Sequence, residues 1–167
     1  MKVFIEIQRF DQWWFRLIMG AVLLVTVIPI ILSYETLAKD PTSLWLAIGT
    51  SIFTLLLFIL LSFWLKLETK IDEQGIYYGF WPFHLKLKQV PWREIEKCYV
   101  RKYNPLTEYG GWGYRTGFGK KSGAMNVKGN IGIQIELSNH KKLLLGTQKE
   151  AEAKQVLETY KHKMKTS

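Results

Sequence analysis

The chain has 167 residues, a net charge of +9 and an aromatic content of 14%. Once its two long apolar runs are set aside, about 100 residues remain, enough for one soluble domain with a modest core. Its lone cysteine, Cys98, excludes an internal disulfide and any multi-cysteine metal site.

The charge is unevenly placed. Residues 66–167 hold 19 Lys and Arg against 10 Asp and Glu, and residues 1–65 hold 4 against 4, so the whole excess follows the second apolar run. A basic surface beside a membrane attracts anionic lipid, and the same excess could serve solubility.

Residues 3–10 (VFIEIQRF) alternate imperfectly and fit either a short strand or a turn of interfacial helix. The first apolar run, residues 17–33 (LIMGAVLLVTVIPIILS), is flanked by Trp13, Trp14 and Phe15 on one side and Tyr34 on the other. It is slightly short for a span, but Arg16 can extend its charge to the interface. Pro29 inside it removes one backbone hydrogen bond and predicts a kink, which membrane helices tolerate. A secretory signal peptide is disfavoured by Glu6 and Asp11 beside Lys2 and Arg9, and by the absence of a small-residue cleavage site.

The second run, residues 44–65 (LWLAIGTSIFTLLLFILLSFWL), contains no charge and carries Trp45 and Trp64 where interfacial rings are expected. At about 1.5 Å per residue it spans about 33 Å, against a hydrocarbon core of about 30 Å. A buried helix of a soluble core is the competing reading, but so short a chain could hardly wrap an all-round apolar helix of this length. The connection ETLAKDPTS holds a single lysine, whereas Lys2, Arg9 and Arg16 precede the first run and many lysines follow the second. The positive-inside rule then puts both termini in the cytoplasm. The expected layout is a cytoplasmic segment 1–16, a first span 17–34, an external loop 35–43, a second span 44–65 and a cytoplasmic domain 66–167, in a two-pass cell-membrane protein. Thr26, Thr50, Ser51, Thr54 and Ser62 read as packing or backbone-bonding residues, and neither run carries a polar set that would mark a pore.

From residue 65 the period becomes two. Leu65, Leu67, Thr69 and Ile71 alternate with Lys66, Glu68 and Lys70, and DEQG at 72–75 makes a turn. Further strands are predicted at 76–81, 85–90, 95–103, 131–137 and 142–146, the last two forming a hairpin. The chain ends in a predicted helix. Thr147 and Glu150 stand at capping-box spacing, and Ala153, Val156, Leu157 and Tyr160 make one apolar stripe. Strands followed by one amphipathic helix suggest an antiparallel barrel or sandwich plugged by that helix.

Two spans, a run of short strands, the step VPWREI at 90–95, the loop EYGGWG at 108–113 and the GTQ start of the last helix resemble the bacterial pleckstrin-homology-like family of small membrane proteins. The resemblance covers about residues 65–162. It implies a two-helix transmembrane hairpin followed by an α+β, mainly antiparallel pleckstrin-homology-like barrel: seven strongly bent strands capped by a C-terminal helix. It implies no reaction, because the small two-span members are largely uncharacterised.

One stretch stands out chemically. Residues 104–124 (NPLTEYGGWGYRTGFGKKSGA) combine many glycines with Tyr109, Trp112 and Tyr114 and the cations Arg115, Lys120 and Lys121. Glycines let backbone N–H groups approach an anion and the cations add charge, so contact of Arg115, Lys120 and Lys121 with anionic lipid is chemically reasonable. A loop folded over the sheet with solvated lysines is the competing reading. The phosphate-loop ending and its strand-to-helix context are both absent.

Domains of the resembled fold that bind phosphoinositides carry basic residues at the turn joining their first two strands. Read as that turn, Asp72-Glu73-Gln74-Gly75 is acidic. His84, His140 and His162 are far apart in sequence, Cys98 reads as an inert buried thiol, and Glu94 and Glu96 do not define a working carboxylate pair. No recognition helix or aromatic platform for nucleic acid is evident.

The expectation is a non-enzymatic interaction module with no cofactor, no metal and no nucleic-acid partner. Its partners would be the bilayer and a membrane protein. The alternatives are headgroup binding by the basic loop, or the role of accessory subunit to a membrane enzyme or transporter.

Overall fold

The structure, a computed structural model, describes residues 2–11, 13–116 and 122–164; the side chains of Trp14, Leu61 and Ser62 also lie outside the description. The chain divides into two compact units, Phe10–Leu65 and the combination of Met1–Arg9 with Lys66–Ser167.

The first unit is helical. Helix α1 (Trp13–Leu32) runs through Pro29, a single turn α2 (Tyr34–Leu37) follows, and α3 (Pro41–Trp64) begins at an N-cap, Asp40, whose side chain accepts from Thr42 N at 3.0 Å. Pro41 occupies the first helical position, where its missing N–H costs nothing. Two stretches, Phe15–Leu32 and Pro41–Leu60, are long and apolar enough to cross a membrane. The hydroxyls of Thr26, Thr50, Ser51 and Thr54 donate to backbone carbonyls within one turn, so they satisfy themselves inside their own helices.

The second unit contains two sheets and a helix. Its first strand, β1 (Phe4–Arg9), precedes the helices, and β2 (Lys66–Asp72) follows them. They pair antiparallel, Phe4 opposite Ile71 and Arg9 opposite Lys66. The unit therefore takes in the segment before the first apolar run, where the sequence reading began it at residue 66.

The meander continues through β3 (Gly75–Trp81) and β4 (Lys88–Pro91), giving the order β1-β2-β3-β4. Residues 85–87, expected in β4, form part of a loop instead. At the β2–β3 turn a Cβ on Gly75 would collide with the Val90 carbonyl, so only glycine fits.

A 3₁₀ turn (Trp92–Glu94) then carries the chain into the second sheet, and Val90, Trp92 and Ile95 are all buried around it. That sheet consists of β5 (Ile95–Lys102), β6 (Gly113–Thr116), β7 (Ser122–Asn126), β8 (Ile131–Leu137) and β9 (Lys142–Gly146), in the order β5-β8-β9-β7-β6. All described pairings are antiparallel except β7 with β9, which is parallel. The strands form two sheets that do not close into the barrel the resemblance implies, and the nine described strands exceed its seven.

Helix α5 (Glu150–Tyr160) covers the sheets with Ala153, Val156, Leu157 and Tyr160, the predicted stripe, all buried. Burying side chains the size of Val156 and Leu157 contributes about 1.5–3 kcal/mol each. Tyr160 lies 5.5 Å from the Trp92 ring and donates to Lys2 O at 2.6 Å. The predicted capping box does not form. Lys149 is the N-cap residue, and Thr147 Oγ1 donates to Glu6 Oε2 at 2.6 Å while Glu150 pairs with Lys154 at 2.7 Å.

Candidate functional site

The register of the first sheet gathers chemically distinct residues at one of its ends. Arg9 lies opposite Lys66, and Lys66 lies opposite Trp81, so three strands finish together where the chain departs for and returns from the apolar helices. Beyond Trp81 the loop of residues 82–87 connects this end to β4. Phe83 is 63% and Leu85 78% exposed, and Lys86 and Lys88 are exposed beside them.

The loop is nevertheless tied down at its base. His84 N donates to Phe80 O at 2.9 Å, and Phe80 N donates back to His84 Nδ1 at 3.2 Å. Tyr114 of β6 stacks on Phe83 at 5.5 Å and meets His84 edge-on at 5.4 Å. Burial, then the neighbouring Lys88 charge, holds the His84 imidazole below its ordinary pKa, which suits a ring accepting a backbone hydrogen bond. A shallow cleft of about 170 Å³ opens here between Lys66, Trp81, His84 and Leu85.

Within the glycine-rich stretch, the described residues 104–116 and 122–124 include a short helix and parts of two strands. Asn104 caps a short helix α4 (Pro105–Tyr109), accepting from Leu106 N and Thr107 N, and Gly110 closes it in the left-handed conformation at φ 70°. Arg101 of β5 binds Glu108 at 2.7 Å and Gln134 at 3.0 Å, while Asn126 joins Tyr103 Oη to Gly113 N, each at 2.9 Å. Strands β6 and β7 then pair antiparallel where the residue pattern suggests only a loop.

Of the three cations proposed for anionic lipid, Arg115 lies on β6, exposed, with Nε donating to Trp112 O at 3.2 Å. Lys120 and Lys121 lie outside the described residues. The acidic turn at Asp72 joins the second and third strands, and the helical unit itself occupies the connection between the first two.

The remaining candidates stay apart. His140 sits in the β8–β9 turn with φ 62°, His162 follows α5, Glu94 belongs to the 3₁₀ turn and Glu96 to β5. Cys98 is half-buried on β5, and the apolar surroundings of its sulfur push the thiol pKa up, away from nucleophilic use. Among the described residues no group of three or more His, Cys, Asp or Glu could hold a metal ion.

Sequence reasoning missed Glu6. Its carboxylate, buried under β1, accepts from Thr147 Oγ1 at 2.6 Å and Gln148 N at 2.8 Å, and Gln8 Nε2 reaches Gly146 O at 2.6 Å. These bonds fasten the first strand to the end of β9. No family model, no curated protein and no solved structure matches the chain.

Proposed function

We propose that this chain is a two-span integral membrane protein that presents a pleckstrin-homology-like domain on the cytoplasmic face of the cell membrane as a non-catalytic interaction module. The observation that carries the reading is the pairing of Arg9 with Lys66. An excursion that leaves and re-enters a sheet at the same end crosses a bilayer an even number of times. Two apolar helices satisfy that requirement, and the lysine excess after the second favours the cytoplasm for the domain. A four-stranded meander, a second sheet and a C-terminal helix support the family resemblance, with the membrane hairpin standing in place of the first inter-strand turn.

Thiol labelling tests the topology in a Cys98→Ala background. An impermeant maleimide should label Thr42→Cys in intact cells, and Glu73→Cys or Asn139→Cys only after permeabilisation; the reverse pattern contradicts the reading. For the module itself, deletion of the chain should impair assembly of one defined membrane complex, and normal assembly of every complex would count against it.

A second reading, recognition of anionic headgroups by Arg115 with Lys120 and Lys121, draws support from one contact. Tyr114, the neighbour of Arg115, stacks on Phe83 at the sheet end from which the spans depart. Binding of the full chain to anionic rather than neutral lipid, fading with salt and lost when all three cations are replaced, would favour it. The role of accessory subunit rests on location alone.

A further inference from the structure

We infer that the loop joining β3 to β4, residues 82–87, is a third membrane contact that inserts Phe83 and Leu85 into the interface of the same bilayer its own helices span. The inference rests on the two-span reading above. Chain connectivity limits where this loop can be. Lys66 follows Trp64 by two residues, so their Cα atoms are at most about 7 Å apart. Trp81 lies directly opposite Lys66, about 5 Å away across an antiparallel pair. By covalent connectivity and strand pairing alone, the strand end that launches the loop is therefore within about 12 Å of the helix end, an upper bound of about twice the thickness of one headgroup layer.

The composition of the loop fits that place. A monomeric soluble surface seldom leaves an aromatic and two leucines together on one turn, and here Phe83 is 63%, Leu85 78% and Leu87 38% exposed. Trp81 at the base is of the residue type enriched at membrane interfaces, and Lys86 and Lys88 are exposed to meet anionic headgroups once the apolar tips are inserted. The loop is also held in shape beforehand by the reciprocal Phe80–His84 bonds and the Tyr114 stack, so insertion orders little that is not already ordered. Within β2, Glu68 pairs with Lys66 at 3.7 Å, and Asp11 follows Arg9 by two residues, so the end carries acidic as well as basic groups.

The bilayer is the occupant this argument selects, because the strand end is covalently joined to residues that enter it. A second membrane contact beside the hairpin would fix the height and tilt of the domain. It would leave the opposite end of the sheet, with the Asp72–Gly75 turn, facing away. Seven residues of β2 separate the two ends by about 20 Å.

The test uses the full chain in nanodiscs of mixed neutral and anionic lipid, carrying one environment-sensitive fluorophore per variant in the Cys98→Ala background. Labels go on Phe83→Cys, Leu85→Cys, Glu73→Cys and Leu56→Cys. The inference expects blue-shifted emission at positions 83 and 85, loss of quenching by aqueous iodide and quenching by lipids carrying a shallow spin label, with position 73 showing the opposite. If position 56 is quenched by lipid while 83 and 85 behave like 73, the loop is not a membrane contact and the two-span reading survives. If position 56 is also open to iodide, the two-span reading fails as well. Blue-shifted emission at 83 and 85 without quenching by lipid would place the loop against protein, and that also overturns the inference.

Discussion

Arg9 and Lys66 face each other across an antiparallel strand pair, although the entire helical unit lies between them in the chain. The soluble unit is thus assembled from both sides of the apolar segments, and its first strand cannot be removed without exposing the buried face of β2. Leu67 and Ile71 are fully buried there. Deleting residues 2–9 should leave the two helices in the membrane but make residues 66–164 sensitive to limited proteolysis. Unchanged protease resistance would show that β1 is dispensable.

Glu6 is the residue through which that strand is fastened. Replacing it with Ala leaves the Thr147 hydroxyl and the Gln148 amide without their acceptor in a buried site, a loss of about 1–3 kcal/mol per stranded donor. Glu6→Gln keeps one acceptor oxygen and should cost less. Thermal unfolding of the purified full chain, followed by near-ultraviolet circular dichroism, should rank wild type above Glu6→Gln and Glu6→Ala last.

The Arg101–Glu108 pair fixes α4 to β5 and gives the unit an acid-sensitive corner. Hydrogen bonding from Arg101 leads the causes that hold the Glu108 carboxyl below its ordinary value of 4.5. Because the folded value is lowered, the stabilisation is complete above about pH 4.5 and is lost as pH falls through the folded value. The pair is partly exposed, so Glu108→Gln should cost only about 0.5 kcal/mol at pH 7, and nothing well below the folded pKa. Equal destabilisation at both pH values would contradict this.

His84 works in the opposite direction on the pH scale from a salt-bridged histidine. Its pKa is lowered from 6.5 by burial and then by Lys88, so the neutral ring is the one the fold prefers. Its contribution is present above about pH 6.5 and fades as pH falls from there toward the folded value. Protonation of Nδ1 removes the acceptor for Phe80 N–H. The hydrogen-exchange protection of that amide, corrected for intrinsic rate, should fall between pH 7.5 and pH 5, and His84→Phe should abolish the difference.

Much of this architecture is legible in the residue pattern where periodicity and burial agree. Strand β2 alternates in sequence and in burial, β8 alternates in sequence although its polar Gln134 is buried too, and the stripe Ala153, Val156, Leu157, Tyr160 predicts both the last helix and its buried face. Strand β1 is obscure for a physical reason. Its apolar Ile5 and Ile7, with Val3 just before it, face outward, and its inward face carries Glu6 and Gln8 beside Phe4, so the usual rule picks the wrong side. The reason for the inversion is Thr147, 141 residues away, which also explains why the local capping box is not used. Strands β6 and β7 hide among glycines, and β7 is completed by a parallel partner, β9, that no local signal announces. The residue pattern points to Arg115, Lys120 and Lys121 as candidate lipid contacts, whereas Phe83 and Leu85 stand out only once the register puts Trp81 beside Lys66.

A membrane hairpin inserted between two paired strands leaves those strands close enough to be cross-linked. Ile5 and Lys70 lie directly opposite in β1 and β2, near enough for a disulfide. The decisive measurement places Ile5→Cys and Lys70→Cys in the Cys98→Ala chain together with a protease site in residues 35–43. Cells are treated with protease from outside, and their membranes are then oxidised. Cleavage is expected in intact cells, with two fragments that remain linked until reduced and no link for the off-register pair Ile5→Cys and Lys66→Cys. Resistance to external protease, or fragments that separate without reduction, would contradict the inserted hairpin.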